Sequence, residues 1–505
     1  MEYKVEKILL KIFLLVEIFI FGYFFLFSVL FSYQNTDFIW DYVYKIVEFV
    51  PLQIVSVLIY AIFVMGVVLL ANKAKIRDTR PIALIVGFLC TIISIYWIFT
   101  CGSTPGSDAG TVVRVTTQFM EGDYSTFEAG DYIGMNRHQL GLITVLRVLF
   151  SIFGMGNYQS FRIMSALFVT LLVYSGYKNV SILSNKNRIA EYTYLLFVFL
   201  CVPIYMYTPF VYGEIISTAL LMFIFWMIFE EIKQWSWIKL VLIFIATFLA
   251  DMFRRNILIT VIAIVGIMVV SAFTQKNSKY LLIVVAVVLA CFLEQFSMNV
   301  MYDKYFPDNA KHTPPANLWI AMGLNDDGVM SGWWDRETIE IYNAANCDRE
   351  VAAEMANEII KERVTNLVSN PVHLVRFLLK KVSSQWIAPM FQCIAMNNVI
   401  DGSESKLAHA IYYDEEINYG LSWVMNIYQI FIYGTGFIWI IQKFRKPGIL
   451  VEYFIPMAIF GGFLFSILWE GKSRYVFPYY LMIMVLSSVG ASYIFTFIKR
   501  KLEKK

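Results

Sequence analysis

The chain has 505 residues, 59% of them hydrophobic and only 16% charged, with a formal net charge of +3. At this length a soluble protein could not hide so much apolar surface, so a soluble globular class is excluded. A nucleic-acid binder is excluded too, because the basic residues are scattered through short loops and form no stripe.

Repeated apolar runs near 20 residues read as an all-α polytopic membrane protein. In chain order, spans are predicted near residues 8–31, 51–71, 82–101, 158–181, 191–208, 213–229, 236–252, 257–273, 280–300, 421–442, 449–469 and 475–497, about twelve in all. The first run is too long for a signal-peptide core, and Phe31-Ser-Tyr33 is a poor cleavage site, so it reads as a retained span. Aromatic residues make up 17% of the chain, and many Trp and Tyr lie near the ends of runs, as interfacial belts would place them.

Basic residues then orient the bundle. Lys4, Lys7, Lys11, Lys73, Lys75, Arg77, Arg80, Lys186, Arg188, Lys276, Lys279, Lys443, Arg445, Lys446 and the tail Lys499, Arg500, Lys501, Lys504 and Lys505 fall on one side if both termini are cytoplasmic. A bacterial plasma-membrane location follows as the expectation. The expected division is residues 1–81 as two N-terminal spans and 82–300 as a core with an extracytoplasmic loop at 102–157. Residues 301–420 form an extracytoplasmic domain, and 421–505 the last spans and a basic tail. Within the loops, Ala109–Glu121 and Leu140–Phe153 read as juxtamembrane helices and Arg349–Val368 as a helix. The run Val372–Ala388 carries His373, Arg376, Lys380 and Lys381 and reads as interfacial, not spanning. The six cysteines show no zinc spacing and mostly sit in apolar runs as small apolar side chains; Cys347 and Cys393 share the large polar segment and could pair if that side is oxidising.

Ionisable groups at a membrane boundary are costly, so each is a candidate for function. Four clusters are expected on the extracytoplasmic side. The first is Ser107-Asp108, which reads equally as a helix N-cap or as a carboxylate able to take a proton from a hydroxyl. The second runs from Gly122-Asp-Tyr124 through Asp131-Tyr132 to Arg137, His138 and Gln139, suited to phosphate and sugar hydroxyls; its bland alternative is a solvated loop. The third joins Tyr212-Gly-Glu214 to Asp251, Arg254, Arg255 and Asn256, alternatively a plain interhelical ion pair. The fourth is Trp469-Glu-Gly-Lys-Ser-Arg-Tyr475, whose Glu470, Lys472, Arg474 and Tyr475 form either a phosphate clamp or a charged turn. Neither a P-loop nor a nucleotide fingerprint is present, so a lipid phosphate is the expected activating group. No cofactor is assigned. Asp108, Glu214 and Asp251 could help bind a divalent cation, but they show no metal-binding spacing.

On these residues the chain resembles the GT-C superfamily of polyprenyl-phosphate-sugar-dependent membrane glycosyltransferases. It is similar in particular to bacterial members related to protein O-mannosyltransferases and the aminoarabinose transferase. The features that carry the likeness are Ser107-Asp108 in the first large loop, Gly122-Asp-Tyr124 to Arg137-His-Gln139, Tyr212-Gly-Glu214, Arg255-Asn256, and Glu470 with Arg474 and Tyr475. The resemblance implies a GT-C-like bundle, Asp108 as catalytic base and Arg474 on the lipid phosphate. It implies sugar transfer, with inversion, to a lipid-linked or cell-surface glycan. Three departures stand out: two spans precede the usual first one, Asp108 is followed by Ala109 where an acidic pair is common, and Asn136-Arg137 replace a proline before His138. The second departure disfavours protein hydroxyls as acceptor. A transporter or lipid-linked-glycan flippase is the alternative, but no internal repeat supports it.

Overall fold

The computed structural model describes residues 2–35, 44–48, 51–74, 76, 78–306, 311–326, 330–399 and 403–503. Of the residues used for orientation, Lys75, Arg77, Lys504 and Lys505 lie outside these.

The fold is all-α, and the protein is a multi-pass membrane protein. Among the described residues, ten helices are long and apolar enough to cross a membrane. The order begins with α1 (Glu2–Leu30), the short antiparallel pair β1 (Phe31–Asn35) and β2 (Tyr44–Glu48), α2 (Leu52–Lys73) and α3 (Arg80–Thr100). Then come β3 (Ser103–Pro105), α4 (Ser107–Glu121), α5 (Tyr132–Met135), α6 (Leu140–Phe153), α7 (Tyr158–Leu183), α8 (Arg188–Leu200) and α9 (Val202–Tyr207). Four long helices follow: α10 (Glu214–Lys233), α11 (Trp237–Phe253), α12 (Ile257–Thr274) and α13 (Lys279–Tyr302). The second polar segment supplies α14 (Asn317–Gly323), α15 (Glu337–Ala344), α16 (Arg349–Ser369), α17 (Pro371–Trp386), β4 (Asn397–Val399) and α18 (Lys406–Tyr413). The chain ends in α19 (Glu415–Arg445), α20 (Phe454–Leu468) and α21 (Ser473–Leu502).

Two expected spans are shorter than the sequence suggests. The run 191–208 breaks at Cys201, so α8 has 13 residues and α9 only 6. Pro203 has no N–H to bond the Phe199 carbonyl, which accepts from the Tyr205 hydroxyl at 2.7 Å instead, so α8 ends while the apolar run continues. The run 236–252 is α11, whose 17 residues reach about 25 Å, short of a full hydrocarbon core. Both still pack in the bundle, α8 on α21 and α11 on α10 and α13.

The bundle is centred on α19 and α21, with α7, α10 and α1 around them. The interfacial helix expected at 372–388 is α17, and it is not among the candidate spans. Val372 and Val375 at its start are exposed, whereas its last turns sink into the bundle. There Trp386 stacks on Phe24 at 4.6 Å and donates from Nε1 to Ser466 Oγ at 2.9 Å. Helices α14 to α16 share a small core of their own, built on Leu318, Ala321, Ile341, Tyr342, Ala352 and Ala356, with Met135 packed into it. Asp348 caps α16 by accepting from the amides of Glu350 and Val351. Cys347 and Cys393 are free thiols, and so are the other four cysteines.

One buried cation ties together the end of the bundle that carries β3 and β4. Arg162, in α7, donates from Nη1 to the Ser103 carbonyl at 2.7 Å and from Nε to the Pro209 carbonyl at 2.8 Å. Ser103 also begins β3, which pairs antiparallel with β4, Ser103 opposite Val399. Arg162→Leu strips two buried carbonyls of their donor and is expected to cost about 3 kcal/mol. A fall in the thermal unfolding temperature of the detergent-solubilised protein would show it; an unchanged temperature would refute the anchor.

Candidate functional site

The chain reaches the site through a strained turn. Gly106 is extended, and Ser107 takes a left-handed backbone with φ of +51°, rare for a residue with a Cβ. Asp108 then sits in the first turn of α4. No side chain caps this helix, so the capping reading of Ser107-Asp108 does not hold. Instead Asp108 Oδ2 accepts from Arg474 Nη2 at 2.5 Å, across 366 residues of chain. Burial pushes the Asp108 carboxyl up, but Arg474 and Lys472 outweigh it and hold it at about 2.

A second wall comes from α10 and α11. Gly213 precedes α10 with φ of +92°, and a Cβ there would stand 2.9 Å from the Phe253 carbonyl. Glycine therefore lets the Tyr212-Gly-Glu214 turn press against the end of α11. That contact sets Glu214 Oε1 2.5 Å from Arg254 Nη1. One residue on, Arg255 Nη1 bridges Asp251 at 2.7 Å and Glu294 of α13 at 3.1 Å. The Tyr212 ring lies 5.2 Å from the Arg254 guanidinium and 5.0 Å from that of Arg474, a cation on either account.

The loop 469–475 forms a third wall. Gly471 donates its amide to the Gly332 carbonyl at 2.7 Å, and buried Lys381 donates to the Ile467 carbonyl at 2.8 Å and also to that of Gly323. Burial, partly opposed by Glu470, lowers the Lys381 amine to about 7. Tyr475 donates its hydroxyl to Glu470.

These walls enclose one cavity of about 640 Å³. It is lined by Asp108, Arg137, His138, Gln139, Arg254, Arg255, Glu470, Lys472 and Tyr475. All four sequence clusters thus meet in it. Two candidates stand behind the lining: Glu214 holds Arg254, and Arg474, with a side chain only 2% exposed, holds Asp108. Asp123, from the second cluster, lies outside; it is exposed and accepts from the Ser125 amide. Glu294 was not among the candidates, although a lone carboxylate inside the apolar run Leu281–Val300 was a visible signal. Trp319 and Trp334 also line the cavity unforeseen.

Of the four cations in the lining, Arg254 and Arg255 already face Glu214, Asp251 and Glu294, and Asp108 faces Arg474, so the lining cations left for an anion are Lys472 and Arg137. Lys472 and Arg137 make no ion pair among the described residues. Each lies over an aromatic face, Lys472 5.3 Å from Trp334 and Arg137 3.9 Å from Phe306. Burial lowers the Lys472 amine. His138 opens into the cavity, yet crowding in the wall and nearby Arg254 lower its imidazole to about 4, so it is neutral at neutral pH. The carboxylates considered for a cation are each engaged by a separate arginine. Among the described residues, no group of three or more His, Cys, Asp or Glu is placed to hold a metal.

No protein-family model matches the chain. No curated protein matches it either. Among solved structures it is similar to ArnT from Cupriavidus metallidurans bound to undecaprenyl phosphate, at 12% identity over 80% of this chain and 77% of that chain, with a TM-score of 0.29. A likeness at that score carries no argument, and the chemistry of the site rests on its own residues.

The Asp108–Arg474 pair has a pH signature. A carboxyl held low stabilises the fold above its unfolded value and loses that contribution as pH falls through about 2. At pH 7, Asp108→Asn is expected to cost about 2 kcal/mol of stability, and the gap to wild type is expected to narrow below about pH 4. Thermal unfolding of both proteins across pH checks this; a gap independent of pH would remove the ion pair as its cause.

Proposed function

We propose that this protein is a membrane glycosyltransferase that moves a sugar from a polyprenyl-phosphate donor to a lipid-linked or cell-surface glycan. The observation that carries the reading is the single cavity in which Asp108 faces Lys472, Arg254 and Arg255. One side of that cavity is apolar, formed by Leu258, Ile259 and Phe465 near the ends of membrane helices, as a lipid-linked substrate requires. Flat aromatic faces suit sugar rings, and the cavity presents Trp319, Trp334 and Trp469, with Trp319 and Trp469 parallel to within 3°. The order of motifs, which resembles the GT-C superfamily, supports the same reading. So does the basic-residue pattern, which sets the cavity outside a plasma membrane with both termini cytoplasmic. Residues 301–420 then form the acceptor side of the site.

In this mechanism Asp108 takes the proton of an acceptor hydroxyl as its oxygen attacks the anomeric carbon. The bond from that carbon to the phosphate oxygen breaks, and its electron pair leaves on the lipid phosphate. Lys472, with Arg254 and Arg255, stabilises that charge. Attack opposite the leaving group inverts the anomeric configuration. A carboxyl held at about 2 by Arg474 and Lys472 is a weak base. The negative charge of a bound donor offsets the surrounding cations and raises its basicity, so proton abstraction awaits the donor.

Transfer is measured in membranes supplied with a panel of polyprenyl-phosphate sugars. Asp108→Asn is expected to fold and bind donor yet lose turnover by about 100-fold or more, and Lys472→Gln to lose about 10-fold, mainly through donor binding. Unimpaired turnover in Asp108→Asn, or a product of retained configuration, would overturn the mechanism. Absence of transfer from every donor would overturn the activity.

A further inference from the structure

A second pocket, of about 430 Å³, lies at the other end of α21, roughly 35 Å along that helix from the cavity. The short turn between α7 and α8 supplies Lys186 and Arg188; the last turns of α21 supply Lys499 and Arg500. Against these four cations stands one carboxylate, Glu503, 3.7 Å from Lys499 and itself exposed. The pocket therefore carries an excess of three positive charges.

Two further features fit an anion. The pocket wall includes the start of α8, whose positive dipole end points to it; Asn187 occupies the capping position and accepts from the Ile189 amide at 3.0 Å. Thr496 is also in the wall, and its buried hydroxyl has no hydrogen-bond partner among the described residues. A phosphate oxygen would satisfy it. Next to the pocket the surface turns apolar: Leu70 and Val67 on α2, with Phe497 and Tyr493 on α21, are all exposed. Helix α2 buries only Gln53, Val64 and Val68, so most of its surface meets the hydrocarbon.

We infer that this pocket binds the phosphodiester headgroup of an anionic glycerophospholipid, its acyl chains lying along the exposed faces of α2 and α21. Clustered cations between membrane helices attract such headgroups, and charge beside apolar surface selects a lipid over a free phosphate. The site is separate from the cavity, and the inference does not depend on the transfer reaction.

The test is native mass spectrometry of the detergent-solubilised full chain, titrated with dioleoylphosphatidylglycerol or dioleoylphosphatidylcholine. The phosphatidylglycerol adduct is expected to be favoured by about 10-fold, and Arg188→Gln/Lys499→Gln/Arg500→Gln to abolish that preference. Lys276→Gln/Lys446→Gln/Lys501→Gln, which removes as many charges outside the pocket, is expected to keep it. Thr496→Val, a milder change, should weaken the adduct while leaving thermal unfolding unaltered. Equal loss in both triple variants, or no preference between the lipids, would overturn the site. Displacement of the lipid by millimolar inorganic phosphate would overturn the lipid as ligand.

Discussion

One constraint shapes the end of the bundle where the cavity opens: a carboxylate beside a membrane is costly to leave without a cation. Desolvation penalises each ionised group, and the protein meets the penalty by pairing. Asp108 has Arg474, Glu214 has Arg254, and Asp251 and Glu294 share Arg255. Asp108–Arg474 joins α4 to α21 across most of the chain, Arg255–Glu294 ties the end of α11 to α13, and Glu214–Arg254 ties it to α10. The pairs therefore set the relative placement of α4, α10, α11, α13 and α21 at the depth where the cavity opens.

The same pairing divides the charges into two sets. Glu214 holds Arg254, Asp251 and Glu294 hold Arg255, and both arginines line the cavity. Lys472 and Arg137, which lie over aromatic faces and make no ion pair among the described residues, exchange a weak attraction for a strong one when an anion arrives. The site is pre-organised where geometry matters and loosely held where charge must be delivered.

Much of this was legible in the sequence, for a physical reason. Charged residues at the ends of apolar runs are expensive, so the motifs at Asp108, Arg137, Glu214, Arg254 and Lys472 stood out without any structure. The amphipathic stretches Ala109–Glu121 and Leu140–Phe153 likewise announced α4 and α6, and the helical run Arg349–Val368 announced α16. The partners were not legible. Arg474 matched a phosphate-binding motif, yet it lies behind the lining because its guanidinium serves a carboxylate 366 residues away. Glu294 stood as a lone carboxylate in an apolar run, but nothing in the sequence pointed to Arg255 as its partner. The break at Cys201 was hidden because hydrophobicity is continuous across it, and only Pro203 marked the end of α8.

Arg162 has a mechanical consequence. Its guanidinium ties the carbonyl of Ser103, just ahead of Asp108, to that of Pro209, just ahead of Tyr212. Two walls of the cavity are thereby clamped to one rod, α7, and behave as a single fixed jaw. The loop 469–475 rests instead on the segment of Gly332 and on Lys381, contacts made by side chains and turns. Arg474 closes the frame: it stands on that loop and pairs with Asp108, so the third wall is cross-linked to the first at the proposed base itself.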